Sequence, residues 1–240
     1  MVIHIYSIVR DEEQILPYFL KHYSTFANKI FILDDRSVDR TVEIARTNDK
    51  VQLLDFSQYH GGLHEPEHSR AFIGSYKKYS RGSADWVMCV DADEFIYHYD
   101  IRWLLGQKQQ EGQRILKANG ITMFSEHYPA TNGQIYEECD TGIRDRLYDK
   151  KVIFDPSIDI LFDTGRHETL TPQGKPYQNH RCNILLLHYR YLDRESTVKH
   201  LDRSRYSWDD QKLAARKAEA LERYEAGLRG DRGPLFKVIL

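Results

Sequence analysis

At 240 residues the chain is long enough to bury a sizeable core, as one domain or one domain with an appendage. Its formal net charge of −2, with acids and bases mixed along the sequence, gives no support to nucleic-acid binding driven by bulk charge. Aromatics at 12%, including 16 Tyr, argue against disorder, and three scattered cysteines (Cys89, Cys139, Cys182) exclude a disulfide framework, which points to a reducing compartment.

The opening run from Val2 to Val9 reads as a first strand, too short and interrupted for a signal sequence, so no targeting segment is expected. No apolar run approaches the ~20 residues needed to cross a bilayer. Arg10-Asp11-Glu12-Glu13 then opens a helix in which Ile15, Leu16, Phe19, Leu20 and Tyr23 recur at helical spacing. Lys29 to Leu33 is a second apolar strand ending in Asp34-Asp35-Arg36-Ser37. Ser37 or Asp39 caps a helix whose apolar side is Val38, Val42, Ile44 and Ala45. Val51 to Phe56 is a third strand, and the alternation predicts a parallel α/β sheet. Asp34 and Asp35 have two equal readings: acceptors for a ribose or base edge, or ordinary capping groups.

His64-Glu65-Pro66-Glu67-His68 matches the H-E-x-x-H pattern of zinc peptidases, but Pro66 starts a helix rather than sitting inside one, leaving His64 outside it. That helix runs through Tyr79 with Phe72, Tyr76 and Tyr79 inward, and places His68 and Arg70 near the strand ends.

Trp86 to Val90 is an apolar strand buried on both faces, followed by Asp91, Asp93 and Glu94 where the chain leaves the core. In extended chain Asp91 and Asp93 point the same way, an arrangement suited to a hard divalent cation. The plain alternative is acids solvating a strand end. Ile101 to Leu105 suggests a short helix, and Gly120 to Phe124 a strand. From Ser125 to Thr141, a polar and aromatic stretch containing Glu126, a long loop is expected to carry acceptor contacts. Lys151 to Phe154 is a strand ended by Pro156. Asp163-Thr164-Gly165-Arg166-His167-Glu168 is either a site turn holding a general base or phosphate, or an exposed hairpin tip. Ile184 to Arg190 is a buried strand containing His188, and 193–229 reads as a charged surface helix pair.

Several of these stretches resemble family-two glycosyltransferases. Ile8-Val9-Arg10-Asp11-Glu12-Glu13 with Leu16 and Phe19, and Ile32 to Thr41, look like the family's opening motifs. Asp85-Trp86 with Asp91-Ala92-Asp93-Glu94-Phe95 looks like the D-W-x-x-x-x-D-x-D-E-F segment of a bacterial branch. The Lys151–Pro156 stretch leading to His167, and Leu187-His188-Tyr189-Arg190-Tyr191, resemble later segments, so the likeness spans about residues 3–200.

The resemblance implies a GT-A fold: Rossmann-like, with a mostly parallel central sheet flanked by helices. The glycosyltransferase domain would cover 1–192, with a nucleotide-binding half over about 1–95 and an acceptor half over about 96–192, followed by a C-terminal helical extension over 193–240. It implies Mn²⁺ or Mg²⁺ and a nucleotide-sugar donor, UDP-linked. Asp34, Asp35 and Arg70 would hold the nucleotide, Asp91 the ribose, diphosphate and metal, and Asp93 and His188 the metal. The family's route is inverting. The Glu-Asp pair that often supplies its base has no clear counterpart here, and Asp163 and Glu168 are the candidates, with Glu126 behind them. By the same resemblance the partners are a carbohydrate or glycolipid acceptor in surface polysaccharide or lipopolysaccharide assembly, at a cytoplasmic location with peripheral contact to the inner membrane face. A nucleotidyltransferase is disfavoured by the absence of a glycine-rich basic loop after the first strand. A non-catalytic carbohydrate- or partner-binding module predicts neither nucleotide affinity nor metal dependence.

Overall fold

The computed structural model describes residues 1–56, 65–178, 182–203, 210–231 and 233–237. The N-terminal half alternates β1 (Ile3–Val9), α1 (Leu16–Ser24), β2 (Lys29–Asp34), α2 (Thr41–Arg46), β3 (Val51–Asp55), α3 (Glu65–Tyr79) and β4 (Trp86–Cys89). The chain continues through β5 (Glu94–Tyr97), α4 (Ile101–Gln110), β6 (Ile115–Phe124), β7 (Thr141–Arg144) and β8 (Lys150–Phe154). A small hairpin, β9 (Leu161–Phe162) and β10 (Thr169–Leu170), precedes β11 (Leu185–Tyr191), α5 (Arg194–Arg203), α6 (Asp210–Leu228) and β12 (Leu235–Lys237).

Among the described residues ten strands form one sheet in the order β12-β7-β6-β8-β4-β1-β2-β3, with β11 joining β6 to β5. The stretch β4-β1-β2-β3 is wholly parallel, the α/β arrangement expected of the N-terminal half. Beyond β4, β8 runs antiparallel to both β4 and β6, while β11 lies parallel to β6. The strands sort their side chains onto two faces because successive residues point opposite ways. Trp86, Met88 and Val90 enter the larger core cluster, and Val87 and Cys89 enter the smaller one with Phe72 and Tyr76. All five residues from Trp86 to Val90 are at most 1% exposed, which explains the unbroken apolar run.

Three local expectations change. The helix expected to open at Arg10 begins at Leu16, because 10–13 is tied down by the β2–α2 loop instead. Val38 is not part of the apolar side of α2 but 91% exposed, since the helix starts at Thr41. The C-terminal helices are not merely a solvated pair. Tyr224 of α6 is buried with Phe124, Ile143 and Tyr191 and donates to the Ser125 carbonyl at 3.0 Å, while β12 extends the sheet by pairing with β7. Among the described residues no helix is long and apolar enough to cross a membrane.

Candidate active site

Strands β1, β2 and β3 run outward on one side of β1, whereas β4 adds on the other, so the order reverses between β1 and β4. Ligands of open α/β sheets bind outside the carboxyl ends of strands at such a reversal. A cleft of about 400 Å³ opens there, lined by Arg10 and Glu12 after β1, Asp91 and Asp93 after β4, and Lys150, Arg166 and His188 opposite.

The Asp-Ala-Asp segment is not extended. The Glu94 amide donates to the Asp91 carbonyl at 3.1 Å, closing a turn over Ala92-Asp93 before β5 begins. Asp91 and Asp93 therefore meet different partners, which corrects the expectation that they point the same way along one strand. Asp93 faces β11, where its Oδ2 lies 3.2 Å from His188 Nε2. Asp91 faces β8 and the β9–β10 turn, forming an ion pair with Arg166 and lying 3.6 Å from Lys150 Nζ. Burial works to raise the Asp91 carboxyl, but the Arg166 guanidinium and Lys150 ammonium outweigh it and hold the group below the ordinary aspartate value.

Beneath this turn Glu94, 1% exposed, pairs with Lys150 and accepts from the Asp91 amide at 3.2 Å. The cleft floor is thus an alternating series, Glu94, Lys150, Asp91, Arg166. Arg166 is 2% exposed, and its guanidinium sits 5.2 Å from the centre of the Phe72 ring. To bring it inward the hairpin takes left-handed backbone at both Gly165 (φ 77°) and Arg166 (φ 57°). The Asp163–Glu168 cluster is therefore a buried site turn as far as Arg166 is concerned, not an exposed tip.

The other sequence candidates lie around or outside this cleft. Asp34 accepts from the Ser37 amide at 3.2 Å, the capping reading, and does not line the cleft. Asp35 is 2% exposed and lies 3.5 Å from Arg10 NH1, so it reaches the cleft only through Arg10. Arg70 is exposed on α3 and pairs with Glu67, away from the cleft it was expected to face, whereas His68, two residues earlier and on the opposite side of the helix, lines it. His64 lies outside the described residues, and among those described no three His, Cys, Asp or Glu side chains are grouped to cage a metal. Asp163 accepts from the Glu168 amide at 2.8 Å and holds the turn. Glu168 pairs with buried Lys151 at the border of the cleft, and Glu126 is exposed in the 125–134 loop.

No protein-family model and no curated protein sequence matches the chain. Among solved structures, S. aureus TarS 1-349 in complex with UDP matches with a TM-score of 0.44 and 13% identity, over 96% of this chain and 74% of that one. Glucosyl-3-phosphoglycerate synthase from Mycobacterium tuberculosis, in complex with Mn²⁺, UDP and glucosyl-3-phosphoglycerate, matches with a TM-score of 0.36 and 18% identity. That match covers 50% of this chain and 44% of the synthase, so the chain spans under half of its length. Likeness this remote assigns no residue a role.

Chemically, the Asp93–His188 pair offers one carboxylate oxygen and one imidazole nitrogen to an ion. That set fits a divalent cation that takes its remaining ligands from water and phosphate oxygens, as Mg²⁺ sites with few protein carboxylates do. Cys89, beside the site in sequence, is fully buried, and burial pushes its thiol far up, so it is a core group rather than a nucleophile. Sequence reading missed Lys150 and Tyr148. Lys150 stands just ahead of the apolar run that was read as a strand beginning at Lys151. Tyr148, whose ring centre lies 4.3 Å from that of His188, sits in a short turn with no periodic signal.

Proposed function

We propose that the chain is a metal-dependent glycosyltransferase of the GT-A kind, moving a sugar from a nucleotide-sugar donor, UDP-linked, to an acceptor hydroxyl. The observation that carries this reading is Asp93 Oδ2 lying 3.2 Å from His188 Nε2 in a cleft at the sheet's reversal point. Cations flank that pair: Arg10, Lys150, Arg166 and Arg190 all line the same cleft. A diphosphate needs such an environment, since its departure concentrates negative charge that fixed cations offset without reorganising.

Asp93 and His188 would hold Mn²⁺ or Mg²⁺, and the ion when bound supplies Lewis-acid neutralisation of the leaving diphosphate. Arg166 and Lys150, anchored by Asp91 and Glu94, hold the positive side of the cleft floor fixed. Asp35 orients Arg10 toward the phosphates. Glu168 is the proposed base: its carboxylate, paired with buried Lys151, lies at the border of the cleft, and the inverting route requires a carboxylate to take the acceptor proton. Surface polysaccharide assembly and a place at the inner membrane face follow from the sequence resemblance alone.

Calorimetry of UDP with and without Mn²⁺ tests the reading on the wild type and on Asp93→Ala. Manganese-dependent UDP binding that the substitution abolishes is the expected result. Wild-type protein that ignores UDP in every metal would remove the UDP form of the proposal.

A further inference from the structure

Beside the cleft lies a second, shallower pocket of about 480 Å³, whose lining includes Lys117, Arg146, Tyr148, His167 and Glu168. Tyr148 and His167 line both cavities, so the two share a wall. On its other side the Tyr148 ring packs against His188, which places that wall directly beside the Asp93–His188 pair. A molecule in the second pocket would reach the first at the point where the donor's diphosphate is proposed to sit.

We propose that this second pocket is the acceptor subsite and that it takes an acceptor bearing an acidic group, a phosphate or a carboxylate. The proposal rests on the glycosyltransferase reading above.

The charge pattern carries it. Asp149, the pocket's own aspartate, is already met by Arg144 at 2.5 Å and Lys117 at 3.6 Å. Glu168 is met from beneath by Lys151, whose Nζ also donates to the Tyr177 carbonyl at 2.9 Å. Asp145 turns toward a different pocket, accepting from the Leu147 amide at 3.0 Å and the Thr122 hydroxyl at 3.2 Å. Arg146 is exposed and makes no ion pair among the described residues. The lining carries Lys117 and Arg146 against Asp149 and Glu168, and both carboxylates are paired from outside it by Arg144 and Lys151, so Arg146 is the lining cation left to meet an incoming acid. A guanidinium presents a planar fork that matches a phosphate or carboxylate edge. Leu147, 73% exposed, and the Tyr148 ring supply the apolar surface on which the body of a sugar can rest.

The test is calorimetry on the chain saturated with UDP and Mn²⁺, titrated with glucose, glucose 6-phosphate and glucuronate. At least one acidic probe is expected to bind about tenfold tighter than glucose, the worth of one charge-assisted pair. Preference for the phosphate or for the carboxylate probe identifies which acid the pocket takes. Arg146→Gln with Lys117→Gln should erase the gap, and the single exposed change Arg146→Glu should do so where the double variant misfolds; UDP affinity in each variant serves as the fold check. Equal binding of all three probes overturns the proposal, as does a gap that survives Arg146→Glu. So does an acidic probe that UDP displaces, because it then occupies the donor cleft. Absence of UDP binding removes the donor reading and this inference with it. Intact UDP binding without acid preference removes this inference alone.

Discussion

Lys150 and Glu94 form an ion pair that is almost entirely enclosed, at 4% and 1% exposure, directly under the turn that carries Asp91 and Asp93. Removing one member of such a pair strands the other charge in the core, which costs about 3–5 kcal/mol. Lys150→Met and Glu94→Leu alone should each lose that much in urea unfolding. The double variant leaves no stranded partner within the pair and should recover to within about 2 kcal/mol of wild type. Single variants that unfold at the wild-type midpoint would show that water reaches the pair.

Gly120 lies on β6 where the chain passes closest to Tyr148. A Cβ added there would sit 2.5 Å from the Tyr148 carbonyl carbon, and backbone cannot give way as a side-chain tip can. The segment is also fastened at this point, the Gly120 amide donating to Asp149 Oδ1 at 3.0 Å and its carbonyl accepting from the Asp145 amide at 3.0 Å. Gly120→Ala should cost about 1–3 kcal/mol by overpacking. It should also push Tyr148 away from His188 and weaken Mn²⁺-dependent UDP binding. Calorimetry and a thermal melt on the same preparation check both, and destabilised protein with unchanged UDP binding would separate Tyr148 from the site.

The parallel half of the sheet was legible because burial on both faces forces unbroken apolar runs, as in Trp86 to Val90, and because helices between them keep the 3.6 period. Asp93 was legible as a candidate metal ligand because acids follow an unbroken apolar run, whereas His188, a lone His on a buried strand, joined it only through the family resemblance. What periodicity could not supply was the β-turn at Asp91–Glu94, which is fixed by the Lys150–Glu94 pair 56 residues away in sequence. The same holds for Arg166. Its glycine-containing turn read equally as a site turn or an exposed tip, and it is the left-handed backbone at Gly165 and Arg166 that brings the guanidinium against the Phe72 ring. Arg70 was misplaced toward the cleft because two residues of α3, about half a turn, separate inward from outward positions, and His68 takes the inward one. Long-range charge pairing leaves no mark at short spacing.

Glu168 and Asp163 sit five residues apart in one turn, and their hydrogen bonds divide their roles. Glu168→Gln removes the proposed base while keeping the side chain's size, so transfer should fall by about 10²–10⁴ with UDP affinity unchanged. Asp163→Asn retains an oxygen able to accept from the Glu168 amide and should leave turnover close to wild type, whereas Asp163→Ala lets the turn relax and lowers both stability and turnover. The readout is acceptor-dependent UDP release. Equal losses in Glu168→Gln and Asp163→Asn would argue against this division.

His22 gives the fold a pH dependence independent of the cleft. It is 3% exposed in a nest of Tyr23, Phe26, Phe95 and Tyr136, with Nε2 donating to the Ile96 carbonyl at 2.9 Å. Burial lowers its pKa from the ordinary 6.5 to about 4, against the smaller opposing pull of the Ile96 carbonyl. Above pH 6.5 both folded and unfolded chains hold the ring neutral, and nothing is lost. Between there and pH 4 the unfolded chain takes up a proton that the folded chain refuses, so stability falls as pH falls. At the lower end the loss is of order 3 kcal/mol, at about 1.4 kcal/mol for each unit of displacement. His4, lowered to about 4 by burial and then by Lys29, acts in the same direction over the same range. Urea midpoints measured from pH 7.5 down to pH 4 should therefore drop steeply, and His22→Leu should remove close to half of that pH dependence whatever its own midpoint at pH 7.5. A slope unchanged in His22→Leu would show that the ring takes up its proton without unfolding.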